Sequence, residues 1–333
     1  MICRWPLASM AVLLTMLPCS GGDKPILWQA PEAITVDDWI WGAGGEGRAP
    51  KPPFEFVSED FHGTNPKIRV RDAKGDQWTV KFGGENHSDV FASRLLYAVG
   101  YVTEPNYYVA GGTISGAHDL KRAKPFLGKD GSFRFARFKL HDRKSMKQVD
   151  GDGWSWTDNP FVGTPQLNGL KILMMLTSNW DAKDARDGSG SNTSIYTKPK
   201  LDGSQRFYAF DDWGATMGKS GGFFMRDKWD PAGYQAQTRD FARLGPGGAI
   251  EWRYRGKHNP DITTGISVDD VRWLLTYLSP ITDAELRAGL RASGATGAEI
   301  ELYTGCLRSR IAQLQRLAGS VGEATASAKG GRD

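Results

Sequence analysis

Residues 77–100 read QWTVKFGGENHSDVFASRLLYAVG and contain the two local patterns on which the predicted fold rests. Gln77 to Phe82 favours a β-strand, and Lys67 to Arg71 before it alternates polar and apolar residues, as a half-buried strand does. The turn between these segments has the composition of a hairpin loop. From Ser88 to Val99 the apolar residues recur at helical spacing, and Gly100 is a suitable C-terminal stop. The sequence therefore predicts a hairpin followed by one helix.

Further strands and helices are predicted on both sides of this stretch. The strands are Phe54–Val57, Tyr101–Ala110, Ser132–Leu140, Ser194–Tyr196 and Phe207–Phe210. One helix begins at Thr164-Pro165, a cap followed by proline at the first helical position, and the later helices are Val268–Leu278, Thr282–Ala292 and Gly297–Leu317. The predicted fold class is α+β, with a small antiparallel sheet and one helix in the first half and a mainly helical second half.

The N-terminus has the pattern of an export signal, which we assign to residues 1–22. Arg4 precedes the apolar run Leu7 to Leu17, which is too short to span a bilayer comfortably. Cys19 follows this run as the lipid-carrying cysteine of a lipoprotein does, although Pro18 fits that processing site poorly. We expect a periplasmic or extracellular protein, and a membrane contact only through a lipid anchor at Cys19.

Composition divides the remaining chain into four parts. Residues 23–53 are rich in glycine and proline and predict an extended lead-in; 54–150 and 151–317 form the two halves of the fold; 318–333 predict a disordered tail. A chain of 333 residues is long enough for two lobes that each have a core. The net charge of +4, without a long Lys/Arg run, argues against a nucleic-acid partner.

Polar residues that could carry chemistry recur along the chain in a fixed order. A lysine near the end of a strand comes first, an acid at the start of a helix follows, and two acidic loops come much later. In sequence order they are Lys81, Glu85 and Asp89, then Asp181, Lys183 and Asn192, then Asp211-Asp212-Trp213-Gly214.

This order resembles the protein-kinase-like superfamily, above all its HipA-type, CotH-type and secretory-pathway branches. DVFASRLLYAVGY resembles the helix of HipA-like proteins, NWDAKD resembles the kinase catalytic loop, and FDDWGATMG resembles the metal-binding segment. The loop is also similar to that of secreted bacterial proteins without an established substrate. The resemblance covers roughly residues 54–315. It implies a two-lobed kinase-like fold and transfer of the γ-phosphoryl group of ATP with Mg²⁺ or Mn²⁺.

The resemblance also implies roles for the residues of the first half. Lys81 would hold nucleotide phosphates, and an acid of the following helix would position it. Asp89 occupies the matching place and is favoured, while Glu85 in the preceding loop has the longer reach. The turn around Gly63 and Thr64 would cover the nucleotide, whereas the glycine-rich run 42–47 is interpreted as a linker.

The second half would supply the base and the metal ligands. Asp181 would accept the acceptor's proton and Lys183 would contact the transferring phosphate, while Asp212 and Asn192 would bind the metal, with Asp211 as a second ligand or a cap. Asn192 follows Asp181 by eleven positions, whereas the family spacing is five. We favour an insertion between them; the alternative pairs Asp187 with Asn192.

Two other classes of function remain open at the level of sequence. A pseudokinase would use the same fold as a binding module. A secreted glycan-binding or glycan-hydrolysing protein would use Asp181 and Asp212 as acid and base, which suits export but leaves Lys81 and Asn192 unexplained. The phosphoryl acceptor is not identified and could be a protein, a glycan, a lipid or a small molecule.

Overall fold

The computed structural model describes residues 24–63, 65–141, 146–149, 151, 153–188, 190–199, 205–222 and 224–329, with side chains up to residue 319. The predicted signal segment 1–22, with Cys19, lies outside the described residues, and so does Thr64. Within the described part of the chain, no helix has both the length and the apolar character needed to cross a membrane.

The lead-in is folded rather than extended. Strand β1 (Lys24–Ile26) pairs in parallel with a strand of the second half, and helix α1 (Val36–Trp41) follows. A capping box between Thr35 and Asp38 begins α1, and the Trp39 side chain is buried in the main core. Composition alone missed this helix because its single buried anchor lies among glycines and prolines.

Five strands of the first half close into a barrel in the order β2-β3-β4-β6-β5. Their bounds are β2 (Phe54–Asp60), β3 (Lys67–Arg71), β4 (Gln77–Phe82), β5 (Asn106–Ser115) and β6 (Ser132–Leu140). Alternate side chains point inward, and the barrel core contains Ile68, Val70, Trp78, Val80, Phe82 and Phe138. The sheet is mixed rather than antiparallel, since the pair β2–β5 that closes it is parallel.

Two elements in this half begin at other residues than the sequence predicts, and β2 and β5 also end later, at Asp60 and Ser115. Strand β5 begins at Asn106 rather than Tyr101, because Pro105 cannot donate to a ladder and Tyr101 instead forms a bridge with Trp28. Helix α2 (Glu85–Ala98) begins three residues before Ser88. Its first turn therefore contains Glu85, which the sequence assigned to a loop.

The second half contains a four-stranded sheet and most of the helices. Strands β7 (Lys147–Gln148), β8 (Thr193–Thr197) and β9 (Gln205–Phe210) join β1 in the order β1-β9-β8-β7, and β10 (Ala242–Leu244) pairs with β11 (Ile250–Trp252). The helices are α3 (Pro165–Leu176), α4 (Pro231–Ala236), α5 (Asn259–Thr263), α6 (Val268–Leu278), α7 (Asp283–Ala292) and α8 (Gly297–Lys329). The fold is thus α+β, with a mixed sheet first and a helical region after it.

Helix α3 is the centre of the main core, and its residues from Leu167 to Leu176 are all buried. The Thr164 hydroxyl accepts a hydrogen bond from the Leu167 N–H at 3.3 Å, so the predicted cap is the one used. Helix α8 continues to Lys329, into the segment where composition predicts a disordered tail. Alanine-rich sequence, such as that of residues 318–329, is compatible with a helix.

Candidate active site

Lys81 lies where its own strand, the helix that follows it and the distant Asp212 meet. It lies near the end of β4 and is 7% exposed. Its ammonium nitrogen is 2.9 Å from Glu85 Oε2, 3.6 Å from Asp89 Oδ2 and 3.9 Å from Asp212 Oδ2. Burial lowers the pKa of Lys81, but the carboxylates, Asp212 first, outweigh burial and raise it above the usual range. Lys81 is therefore a charged ammonium at neutral pH.

The two acids of α2 lie one turn apart on the same face, and both reach Lys81. The sequence favoured Asp89 as the partner, yet Glu85 is the nearer of the two. The Glu85 carboxylate also accepts hydrogen bonds from the Asn65 side-chain N–H and from the Lys228 ammonium. Burial raises the pKa of Glu85, but Lys81 and Lys228 outweigh it and hold that pKa below its usual value.

Asp89 has other partners of its own. Its Oδ1 accepts the Trp213 backbone N–H at 3.0 Å, and its Oδ2 lies 2.9 Å from Arg137 Nη1. Arg137 is on β6 and is almost fully buried. The sequence gave no role to Arg137, because only the pairing of β4 with β6 brings it beside Asp89.

Asp212 faces the cleft, and its side chain is 41% exposed. Its Oδ1 accepts the Gly214 backbone N–H at 3.0 Å. Burial raises its pKa, but Lys81 and that N–H outweigh burial and lower the pKa to about 2. Asp212 is therefore anionic at neutral pH, the state in which a carboxylate can bind Mg²⁺ or Mn²⁺.

Asp211 faces a different part of the molecule from Asp212. Its Oδ2 accepts the Tyr196 hydroxyl at 2.9 Å, and it shares a small polar cavity with Glu104 and Lys139. Burial, with Glu104 nearby, raises the pKa of Asp211 to about 6. These contacts place Asp211 behind the cleft rather than beside Asp212. The sequence had suggested a second metal ligand or a cap at this position.

Asp181, Lys183 and Asn192 come together despite the long spacing. The Asn192 side-chain nitrogen donates to the Asp181 backbone oxygen at 2.7 Å and lies 3.4 Å from its carboxylate. The Lys183 ammonium is 3.3 Å from Asp181 Oδ2. The Asn192 backbone N–H donates to the Lys183 carbonyl at 3.3 Å, so the two ends of the inserted stretch lie side by side.

Asn179 joins the Asp181 loop to the Asp212 segment. Its side-chain nitrogen donates to the Asp212 backbone oxygen at 3.2 Å, and its side-chain oxygen accepts the Asp181 N–H at 3.1 Å. Asn179 itself is fully buried. The sequence pattern gave Asn179 no role, although an asparagine directly after a buried helix and before an acidic loop can donate with its nitrogen and accept with its oxygen.

The inserted loop contains a second cluster that the sequence did not reveal. Asp184, Asp187 and His258 offer ligand atoms within 4.8 Å of one another and could hold a metal. The Arg186 guanidinium would compete with a metal for the Asp184 carboxylate, since it donates to both Asp184 oxygens at 2.6–3.0 Å. His258 Nε2 also lies 2.7 Å from Asp187 Oδ2. Asp187 is thus engaged with His258, whereas the Asn192 side chain contacts Asp181.

The two candidate covering loops lie in different places. The turn with Gly63 connects β2 to β3, and its neighbour Asn65 reaches Glu85, so this turn borders the Lys81 cleft. The glycine-rich run 42–47 has other contacts: the Gly45 carbonyl accepts the Tyr107 hydroxyl at 2.9 Å. Gly63 has a φ of 69°, a value that favours glycine.

Comparison with known proteins gives one distant structural likeness. No protein-family model matches the chain, and no curated protein matches it significantly. The solved structure of the Golgi casein kinase superposes with a TM-score of 0.43 and 9% identity, covering 86% of this chain and 76% of that chain. The same kinase with Mn/ADP bound gives 0.41 and 9%, covering 85% and 74%. The likeness is to a kinase-like fold, and no activity or substrate follows from it.

Proposed function

We propose that this protein is an exported kinase-like phosphotransferase that binds ATP with Mg²⁺ or Mn²⁺ and transfers the γ-phosphoryl group to an acceptor. One observation carries the proposal: Lys81 lies among Glu85, Asp89 and Asp212, three carboxylates from two distant parts of the chain. A buried lysine with an anionic helix partner and a facing metal-binding carboxylate is the arrangement that phosphoryl transfer needs.

Each remaining polar residue of the cleft has a role in this proposal. Asp212 and Asn192 would hold the metal; the Asn192 nitrogen faces Asp181, which leaves its oxygen for a cation. Asp181 would accept the proton of the attacking hydroxyl, and Lys183 beside it would contact the transferring phosphate. A metal held by these residues would supply positive charge that offsets the negative charge developing on the transferring phosphate.

The charge of Asp212 disfavours this residue as the acid of a glycan-hydrolysing pair. An acid catalyst for that reaction needs a carboxyl whose pKa is raised so that it is protonated. The pKa of Asp212 is instead lowered to about 2 by Lys81 and the Gly214 N–H, against the effect of burial. A pseudokinase would keep the same cleft and is separated from an active enzyme by the turnover measured below.

The proposal is tested with two matched variants, Asp212→Asn and Asp181→Asn, which make the same chemical change on the two sides of the cleft. Binding of a non-hydrolysable ATP analogue is measured by calorimetry with and without Mn²⁺, and turnover is followed as ATP hydrolysis or transfer. We expect Asp212→Asn to weaken the Mn²⁺-dependent binding more than about ten-fold, since even the outer partners of metal ligands matter that much.

Asp181→Asn serves as the control. It should bind the nucleotide with Mn²⁺ as the wild type does while turnover falls by about 10²- to 10⁴-fold, because a general base acts on rate and little on binding. Wild-type binding without any turnover, for each acceptor class, would identify a pseudokinase. An absence of Mn²⁺-dependent nucleotide binding in the wild type would refute the proposal altogether.

A further inference from the structure

We propose that Arg137 is a positioning residue: it holds Asp89, and through Asp89 it fixes the Asp212-Trp213-Gly214 turn. The role of the turn as a metal-binding element rests on the proposed function. The two acids of α2 then have separate tasks, with Glu85 serving Lys81 and Asp89 serving the turn.

The pairing of strands places two cations side by side. Lys81 on β4 is the direct register partner of Arg137 on β6, and they are 7% and 6% exposed. Two adjacent buried cations are tolerated only when anions compensate both of them. Each cation has its own nearest anion. Glu85 lies 2.9 Å from Lys81, and Asp89 lies 2.9 Å from Arg137 but 3.6 Å from Lys81.

Asp89 connects this pair to the metal-binding segment. While one carboxylate oxygen faces Arg137, the other accepts the Trp213 N–H at 3.0 Å. Trp213 is itself anchored, since its indole N–H donates to the Phe210 carbonyl at 2.8 Å. The peptide between Asp212 and Trp213 is therefore fixed from the α2 side, and the orientation of the Asp212 carboxylate depends on it.

Removal of the Arg137 charge would change this arrangement in a defined way. Asp89 would keep Lys81 as its nearest cation and would be drawn toward it, away from the Trp213 N–H. A neutral amide at position 89 still offers an oxygen to that N–H but needs no cation. The double variant Arg137→Met with Asp89→Asn thus removes both charges of the pair and retains the acceptor, a change that buried ion pairs often tolerate.

The experiment compares wild type, Arg137→Met, Asp89→Asn, the double variant and Arg137→Lys. Hydrogen exchange of the amides in residues 211–214 is measured on the ligand-free proteins, and Mn²⁺ affinity is measured with the bound ATP analogue. We expect Arg137→Met to speed exchange of the Trp213 amide and to weaken Mn²⁺ binding about ten-fold, by analogy with outer partners of metal ligands. Nucleotide affinity without metal should change far less.

The double variant should recover slow exchange and Mn²⁺ affinity within about three-fold of wild type, so that the two substitutions are strongly non-additive. Arg137→Lys should recover part of both because it keeps the charge. Additive effects, or unchanged exchange in Arg137→Met, would overturn the proposal. If Arg137→Met does not fold, the double variant still decides the question, since fast Trp213 exchange in it would contradict the proposed role of the position 89 oxygen.

Failure of the Arg137 proposal can be distinguished from failure of the proposed function. Hydrogen exchange reports on the Arg137–Asp89–Trp213 connection whether or not any nucleotide binds. A wild type that binds no nucleotide with Mn²⁺ would refute the kinase proposal alone. A Glu85→Gln variant provides the matched comparison, because it should weaken nucleotide binding through Lys81 and leave Trp213 exchange unchanged.

Discussion

Two neighbouring aspartates show how strongly the surroundings of a residue determine its chemistry. Asp211 and Asp212 are adjacent in sequence, yet burial beside Glu104 raises the pKa of Asp211 to about 6, while Lys81 and the Gly214 N–H overcome burial and lower that of Asp212 to about 2. The alternating direction of side chains at the end of β9 accounts for the difference, since one carboxyl faces the interior and the other the cleft. Only Asp212 is therefore suited to bind a cation at every physiological pH.

The raised pKa of Asp211 predicts a pH-dependent contribution to stability. Its folded-state pKa of about 6 lies above the ordinary aspartate value of 3.8, so between these values the folded state binds the proton more tightly. Relative to Asp211→Asn, which cannot titrate, the wild type should gain roughly 1 kcal/mol of unfolding free energy as the pH falls from 7.5 to 5. Urea unfolding of both proteins at the two pH values measures this difference. A difference that is constant with pH, or that moves in the opposite direction, would contradict the assignment.

The order of residues in the sequence was sufficient to identify most residues of the cleft, but not the contacts between them. Lys81, Asp181 and Asp212 each stand in a short local pattern that can be recognised without the fold. Arg137 and Asn179 could not be assigned in this way, because their roles depend on partners 48 and 33 positions away, Asp89 and Asp212. The register of β4 with β6 brings Arg137 beside Asp89, and the end of α3 brings Asn179 beside Asp212.

At the scale of elements, local signals predicted those segments whose ends have their own capping or turn residues. Strands β3, β4 and β6 have the predicted bounds, and α6 and α7 follow their predicted ranges closely and begin after capping boxes at Ser267 and Thr282. Helix α1 and the parallel pairs β1–β9 and β2–β5 were missed, since their formation depends on tertiary contacts with distant residues.

The N-cap of α3 gives a prediction at this scale. The Thr164 hydroxyl accepts the Leu167 N–H at 3.3 Å at the start of the central buried helix. Thr164→Ala leaves that N–H without its acceptor and should lower the free energy of unfolding by about 1 kcal/mol. Thr164→Ser keeps the hydroxyl and should cost no more than about half as much. Urea unfolding measures both, and equal losses for the two variants would exclude capping as the cause.

At the scale of the whole molecule, one buried arginine connects the last helix to the segment that precedes the cleft. Arg310 on α8 is 1% exposed and donates to the Leu176 carbonyl and the Ser178 hydroxyl, both at 2.8 Å. It also donates to the Thr238 hydroxyl at 3.0 Å, and its guanidinium carbon lies 3.8 Å from the centre of the Tyr234 ring. The end of α3, from which Asn179 and Asp181 follow, is thereby fixed by α8.

Arg310→Met tests this connection, because methionine fills much of the same volume but leaves the carbonyl and hydroxyl groups at the end of α3 without a donor. We expect the free energy of unfolding to fall by about 1–3 kcal/mol, the cost of leaving buried acceptors without a donor. Arg316→Met is the matched control: the same substitution on an exposed position of the same helix should change stability by less than about 0.5 kcal/mol. Urea unfolding of the three proteins gives both values. Similar losses in the two variants would show that α8 tolerates no such change anywhere, whereas a negligible loss in Arg310→Met would mean that the helix packs on α3 through its apolar residues alone.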